Sequence, residues 1–279
     1  MRLGKLSLQS GEVVESSATL LALIRVLFAS RILVGLVVGL IYALSMPNAV
    51  SSSLKLTLFM TGFSIIWATY LFNVYTDKAE DEVNTAGIHV AVSRPFIFLL
   101  LFAPAPLMGD VFGWRGLVFL AVFFAACNLY SITIPKLDIR IKDVFLLKNI
   151  YPGLVVVGGL AALRMMLGFP IFFSELALIF LIYFGNEILW DIRDMQGDKA
   201  GSTLPQRFGV FATKAGIILI YLIVLALYAM YWPFVLHLAW MPVAVVVVVT
   251  LLVQPNQNPL LFHVPVLAWV GFLGLLLWL

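Results

Sequence analysis

The sequence predicts an all-α integral membrane protein with about nine transmembrane helices. Of its 279 residues, 63% are hydrophobic and only 11% are charged, whereas a soluble domain carries about 25% charged residues. The mean hydropathy is +1.08, and apolar stretches of about 20 residues, each long enough to cross a bilayer as a helix, recur along the chain. Helices are expected because a segment in lipid must satisfy its backbone hydrogen bonds internally.

The predicted spans are separated by polar segments. In chain order they cover 18–45, 54–72, 92–109, 114–134, 149–168, 170–190, 211–231, 233–253 and 261–279. The third span contains three prolines, which predict a kink. Residues 1–17 are polar, and we expect them to be a lead-in to a single transmembrane domain over 1–279.

Basic residues concentrate on one side of the predicted membrane. All but three of the 17 Lys and Arg belong to that side. The exceptions are Lys55, Arg115 and Arg164. Because Lys and Arg are enriched in cytoplasmic loops, we place the segments 73–94, 135–148 and 191–210 in the cytoplasm. The positive-inside distribution of basic residues accounts for the net charge of +3. We therefore expect no nucleic-acid partner.

Two acidic motifs follow two of the spans. They read NVYTDKAEDEVN over 73–84 and WDIRDMQGD over 190–198, and they superpose acid on acid as a weak internal repeat. Residues four apart share one face of a helix, and so do residues three apart. One polar stripe therefore consists of Asn73, Asp77 and Asp81. The other consists of Asp191, Asp194 and Asp198.

This pattern favours a metal-bound diphosphate over two sets of solvated helix-end acids. Two groups of carboxylates repel each other unless cations lie between them. Mg²⁺ accepts oxygen ligands and commonly takes one or two carboxylates together with substrate phosphates. Ionisable groups beside membrane spans are also costly, which indicates a function. We therefore predict Mg²⁺ as the cofactor and a diphosphate held between two helices.

Basic residues on the same predicted side would complete such a site. The central loop supplies Lys136, Arg140, Lys142 and Lys148, and Arg25 lies in the first span near the same face. Positioned cations stabilise the negative charge that develops on a diphosphate leaving group.

The two motifs, with LYSITIPK and LKN between them, resemble those of the UbiA superfamily of intramembrane prenyltransferases. The resemblance covers the nine-span layout, and hence nearly the whole chain. It implies a helical bundle around a central cavity open to the membrane lipid. It also implies an enzyme that binds an isoprenoid diphosphate through Mg²⁺ and ionises it to an allylic carbocation. The prenyl group would then pass to an acceptor that we expect to be lipophilic and aromatic.

The resemblance also implies site residues by position. Asn73, Asp77 and Asp81 would hold one metal ion. Asp194 and Asp198 would hold the other, with Asp191 assisting. Asp77, Asp81, Asp194 and Asp198 would be the catalytic acids. The diphosphate contacts would be Arg25, Arg94, Lys136, Lys148 and Tyr130.

Departures from the superfamily pattern leave a second reaction open. Val74 and Trp190 stand where the superfamily often has Asp or Asn, and the central loop lacks its Tyr-x-x-x-Lys pattern. The alternative is a UbiA-type terpene cyclase, which would ionise the same donor and close the cation on its own double bonds. A transporter or channel would place its acids near mid-membrane, whereas these acids lie at span ends.

Overall fold

The computed structural model describes residues 32–47, 50–76, 93–133, 139–198, 200–255 and 259–276. In chain order the helices are α1 (Ile32–Leu44), α2 (Ser52–Thr76), α3 (Arg94–Phe102), α4 (Ala105–Phe112), α5 (Trp114–Leu129), α6 (Leu147–Met166), α7 (Phe173–Asp194), α8 (Leu204–Tyr231), α9 (Leu236–Leu252) and α10 (Pro259–Leu276). A short 3₁₀ turn, Ile141–Asp143, precedes α6. The predicted all-α membrane fold is confirmed.

Nine helical segments of the described chain coincide with the nine predicted spans when α3 and α4 are counted as one. Five of them, namely α2, the α3–α4 pair, α6, α7 and α8, are long and apolar enough to cross a membrane. The other four are shorter apolar helices. The helix axis breaks between α3 and α4 at Ala103 and Pro104, where a proline-induced kink was predicted.

Two helix ends differ from the predicted boundaries in a way that matters for the site. α2 continues to Thr76 and α7 to Asp194, about one turn beyond the spans expected from hydropathy. Hydropathy places each span end just before a strongly polar residue, Asn73 or Asp191, but the ladder of backbone hydrogen bonds does not end there. The first four residues of the first motif and the first five of the second are therefore helical.

Helices α1 and α2 approach each other closely because glycines line their contact. A Cβ atom on Gly39 would lie 2.8 Å from the carbonyl oxygen of Phe59, and one on Gly62 would lie 3.0 Å from that of Val38. Without a hydrophobic drive between helices in lipid, such backbone approach supplies the packing contacts. α10 packs against α1, and α7 packs between α6 and α8.

Buried Arg164 ties three helices together at one end of the bundle. Its side chain is 5% exposed and lies at the end of α6. The guanidinium lies 2.7 Å from Glu175 in the first turn of α7 and donates to the carbonyl of Pro170 at 3.2 Å. It also donates to the carbonyl of Ser45, just after α1. This network fixes the end of α7 opposite to its acidic motif.

Candidate functional site

The site is built where the last turn of α7 meets the first turn of α6. α7 has 22 residues and is therefore about 33 Å long, so its two ends lie on opposite sides of a bilayer. Asp191 is 1% exposed, and Asp194 is also buried. A buried carboxylate needs a cation or hydrogen-bond donors beside it. Helices α6 and α7 both supply cations, and α6 also supplies a hydrogen-bond donor.

Lys148 joins two of the predicted acids. Its Nζ lies 2.8 Å from Oδ1 of Asp191 and also donates to Oδ2 of Asp198. Asn149, the next residue of α6, donates its Nδ2–H to Oδ2 of Asp191 at 2.9 Å. The two carboxylates would repel each other without the shared cation. The structure therefore brings together three residues that the sequence placed in one site.

Asp194 binds a different cation. Arg193 donates from Nε to Oδ1 of Asp194 and from Nη2 to Oδ2 at 2.6 Å. The Arg193 guanidinium also lies 4.3 Å from the centroid of the Trp190 ring. The single stripe predicted for Asp191, Asp194 and Asp198 is thus divided between two basic residues. Spacing gives the shared helix face but not the cation that lies over each acid.

Asp198 follows α7 in a turn that α8 holds in place. Its N–H donates to the carbonyl of Asp194 at 3.0 Å. Gln206, in the first turn of α8, donates its side-chain N–H to the carbonyl of Met195 at 2.6 Å. Burial raises the pKa of the Asp198 carboxyl to about 6, and the ammonium of Lys148 only partly offsets that effect. The ammonium of Lys148 therefore favours the ionised form of this carboxyl.

Tyr130, directly after α5, is next to the acids. Burial raises the pKa of its hydroxyl well above the usual value, and the charges of Glu187 and Asp191 act in the same direction. The ring stacks on that of Tyr151, with centroids 6.2 Å apart. Tyr130 is therefore a neutral hydrogen-bond donor, which suits its predicted role as a contact for an anion.

Two more of the predicted residues lie in described helices, and the rest lie outside the described chain. Asn73 is half-buried near the end of α2, and Arg94 is exposed at the first residue of α3. Four residues lie outside the described residues. They are Arg25, Asp77, Asp81 and Lys136.

A cavity lies along α7 between α1, α2 and α10, and Trp190, the residue before Asp191, forms part of its wall. Most of the wall is apolar or aromatic and includes Val266, Tyr70 and Trp190, and the polar side chains of Asn186 and Glu187 also contribute. Ligand sites in proteins are typically apolar hollows with a few placed polar groups. This one suits an amphiphile with a charged head and an apolar chain.

The described acids have the right chemistry for Mg²⁺ but do not form a complete metal site. Carboxylate oxygens are the donors that Mg²⁺ prefers, and Asp191 and Asp198 already share one cation, the ammonium of Lys148. Within the described ranges, no group of three or more His, Cys, Asp or Glu could hold a metal ion. A magnesium site here would need further ligands, and Asp77 and Asp81 are those that the sequence offers.

Three polar residues of the site were not predicted from the sequence. They are Asn149, Asn186 and Arg193. Asn149 and Arg193 stand beside residues of the quoted motifs, LKN and DIRD. That adjacency was the available signal, but it does not show which side chain faces inward.

Comparison with known proteins gives one structural similarity. No family model and no curated protein matches the chain. A solved structure, described as digeranylgeranylglyceryl phosphate synthase in membranes, is 15% identical. The match covers 90% of this chain and 98% of that chain, with a TM-score of 0.50. The two chains share a fold. The similarity covers almost the whole length of both, so the helices that build the site belong to the shared architecture.

Proposed function

We propose that the protein is a Mg²⁺-dependent membrane prenyltransferase, which ionises an isoprenoid diphosphate and transfers the prenyl group to a lipophilic aromatic acceptor. The observation that carries the proposal is the buried Lys148–Asp191–Asp198 cluster next to an apolar cavity. The fold shared with a membrane synthase of a geranylgeranyl compound supports an isoprenoid substrate. In this proposal the diphosphate binds at the cluster and the prenyl chain in the cavity.

The residues of the cluster would stabilise the leaving group. Lys148 would donate to phosphate oxygens, and the neutral Tyr130 hydroxyl would add a hydrogen bond. Both would stabilise the negative charge that develops on the leaving diphosphate. Bound Mg²⁺ would neutralise diphosphate charge and take ligands from Asp191, Asp198 and the first motif. The rings of Tyr70 and Trp190 line the cavity, and aromatic faces attract a cation. The apolar wall would keep water from the allylic carbon.

A terpene cyclase is the second candidate, and the aromatic wall of the cavity favours it. A carbocation held against Tyr70, Tyr183 and Trp190 would persist long enough to close on its own double bonds. Both reactions would use the same donor, the same cation chemistry and the same cavity. Only their products distinguish a transferase from a cyclase.

An incubation without acceptor tests the proposed function. The purified protein receives Mg²⁺ and allylic diphosphates of several chain lengths, and the products are identified. A transferase should give slow hydrolysis to a prenyl alcohol and form adducts when lipophilic phenols are added. Cyclic hydrocarbons would identify the cyclase instead. An intact diphosphate under all these conditions would contradict both reactions.

We also infer that the ionic cluster faces the cytoplasm. Cys127 is buried, so an introduced cysteine can be labelled selectively. A membrane-impermeant maleimide added to intact cells should fail to label Ala200→Cys, in the exposed loop after α7. It should label Phe173→Cys, because Phe173 is 83% exposed at the opposite end of α7. The reverse pattern would overturn the orientation.

A further inference from the structure

Two polar side chains of α7 face the cavity between α1, α2, α7 and α10 without hydrogen-bond partners in the described part of the chain. Tyr183 is 6% exposed, and its hydroxyl has no hydrogen-bond partner among the described residues. The carboxamide oxygen of Asn186 is also buried and has no hydrogen-bond partner among the described residues. Both side chains line the cavity, and they are three positions apart on α7, so they share one face of the helix.

Buried polar groups without partners are rare, because each costs the free energy of removing it from water. Two other buried tyrosines of the bundle have backbone partners. Tyr42 donates to the carbonyl of Val156 at 3.0 Å, and Tyr221 donates to that of Ile182 at 3.1 Å. The contrast indicates that the hydroxyl of Tyr183 is kept available for a ligand.

Position, rather than burial alone, distinguishes Asn186 from another buried asparagine. Asn128 donates its Nδ2–H to the carbonyl of Phe124, four residues earlier, at 2.8 Å, although its carboxamide oxygen is also buried without a partner in the described ranges. The side chain of Asn186 lines the cavity, so a ligand there can reach its carboxamide oxygen.

The hydrogen-bonding capacity of the two side chains defines the chemical group that fits. A tyrosine hydroxyl both donates and accepts, and a carboxamide offers one donor group and one acceptor in either orientation. A ligand hydroxyl can accept from one side chain while it donates to the other. A ligand carbonyl only accepts, and a hydrocarbon does neither. An isoprenoid chain alone would leave both side chains unsatisfied.

We propose that Tyr183 and Asn186 form a subsite for the hydroxyl group of a lipophilic alcohol or phenol. In combination with the proposed function, on which this step rests, the hydroxyl belongs to the acceptor and not to the diphosphate donor. The subsite lies one to two helical turns from Asp191 along α7. The acceptor would therefore enter the same cavity as the prenyl chain.

The test compares a phenol with its methyl ether. Purified full-length protein, without Mg²⁺ or diphosphate, is titrated with 4-nonylphenol and with 4-nonylanisole. Binding is followed by tryptophan fluorescence, because Trp190 and Trp269 line the cavity. The wild-type protein should bind the phenol about tenfold more tightly, which is the contribution of about one hydrogen bond.

Two variants place this preference at the subsite. Tyr183→Phe and Asn186→Leu should each lower the affinity for the phenol toward that for the ether and leave ether binding unchanged. Tyr231→Phe is the matched control, because Tyr231 is exposed at the end of α8, and it should keep the full preference. Unchanged ether binding also shows that a variant is folded.

Either of two results would overturn the subsite. One is equal affinity of the wild-type protein for phenol and ether, and the other is a preference that persists in both variants. Because the titration needs neither donor nor metal, its outcome is separate from that of the transferase assay. Transfer activity without a hydroxyl preference would remove the subsite alone. A preference without any turnover of diphosphates would remove the proposed function alone.

Discussion

Asp198→Asn and Asp77→Asn should each reduce turnover of an isoprenoid diphosphate by about a hundredfold or more. The carboxylate of Asp198 shares the Lys148 ammonium with Asp191, and an amide at this position would have no charge to hold a cation. Asp77 is the first acid of the first motif and lies outside the described residues. Loss of a metal ligand costs several kcal/mol of transition-state stabilisation. The release of diphosphate is measured at equal amounts of folded protein.

Asp110→Asn is the control for these two variants. Asp110 is exposed in α4, so its replacement should leave turnover unchanged. Asp143 is a poorer control, because it pairs with Arg140 through two contacts of 2.8 and 3.0 Å. Burial opposes ionisation of Asp143, but the bonds to Arg140 still lower its pKa. Near-normal turnover by either motif variant, or equal damage from Asp110→Asn, would exclude the two-motif mechanism.

Arg164→Met should destabilise the bundle by about 3 kcal/mol without removing any residue of the ionic cluster. The change leaves the Glu175 carboxylate without its cation, and it leaves the carbonyls of Ser45 and Pro170 without their donor. Removing one partner of a buried ion pair costs more than the pair contributes, because the other charge stays desolvated. Reversible unfolding of the purified protein in detergent by denaturant measures the loss.

Arg115→Met provides the matched comparison for Arg164→Met. Arg115 is exposed in the first turn of α5, so its replacement should change the free energy of unfolding by less than about 0.5 kcal/mol. The double variant Arg164→Met, Glu175→Leu should recover part of the stability, because it removes the unpaired carboxylate as well. A single Arg164→Met variant as stable as the wild type would show that the network does not hold the helices.

Most of the fold could be predicted from the sequence because lipid leaves the backbone few choices. Each long apolar run had to be a helix, and the prolines of the third span marked the break between α3 and α4. The predicted ends of α2 and α7, at Phe72 and Trp190, fall about one turn before the observed ends. Hydropathy detects the edge of the apolar stretch, whereas a helix ends only where its hydrogen bonds stop.

The site could be predicted only in part. The positive-inside pattern and the spacing of the acids placed Lys148 near Asp191 and Asp198. The pairing of Asp194 with Arg193 and the bond from Asn149 to Asp191 depend on which side chains two packed helices present to each other. Periodicity gives a face of one helix but not its neighbours. The cavity residues were missed for the same reason, since the cavity exists only between helices distant in sequence.

Equilibrium binding of farnesyl thiolodiphosphate, an analogue that resists ionisation, measures whether the ionic cluster and the cavity together bind an isoprenoid diphosphate through Mg²⁺. The wild-type protein should bind it with Mg²⁺ present and lose at least about tenfold in affinity in excess chelator, an effect of about 1.4 kcal/mol. Farnesol, which has the chain but no diphosphate, should bind far more weakly than the analogue with Mg²⁺. Equal binding of the analogue with and without Mg²⁺, or farnesol binding as tightly as the diphosphate, would contradict a metal-held diphosphate at Lys148, Asp191 and Asp198.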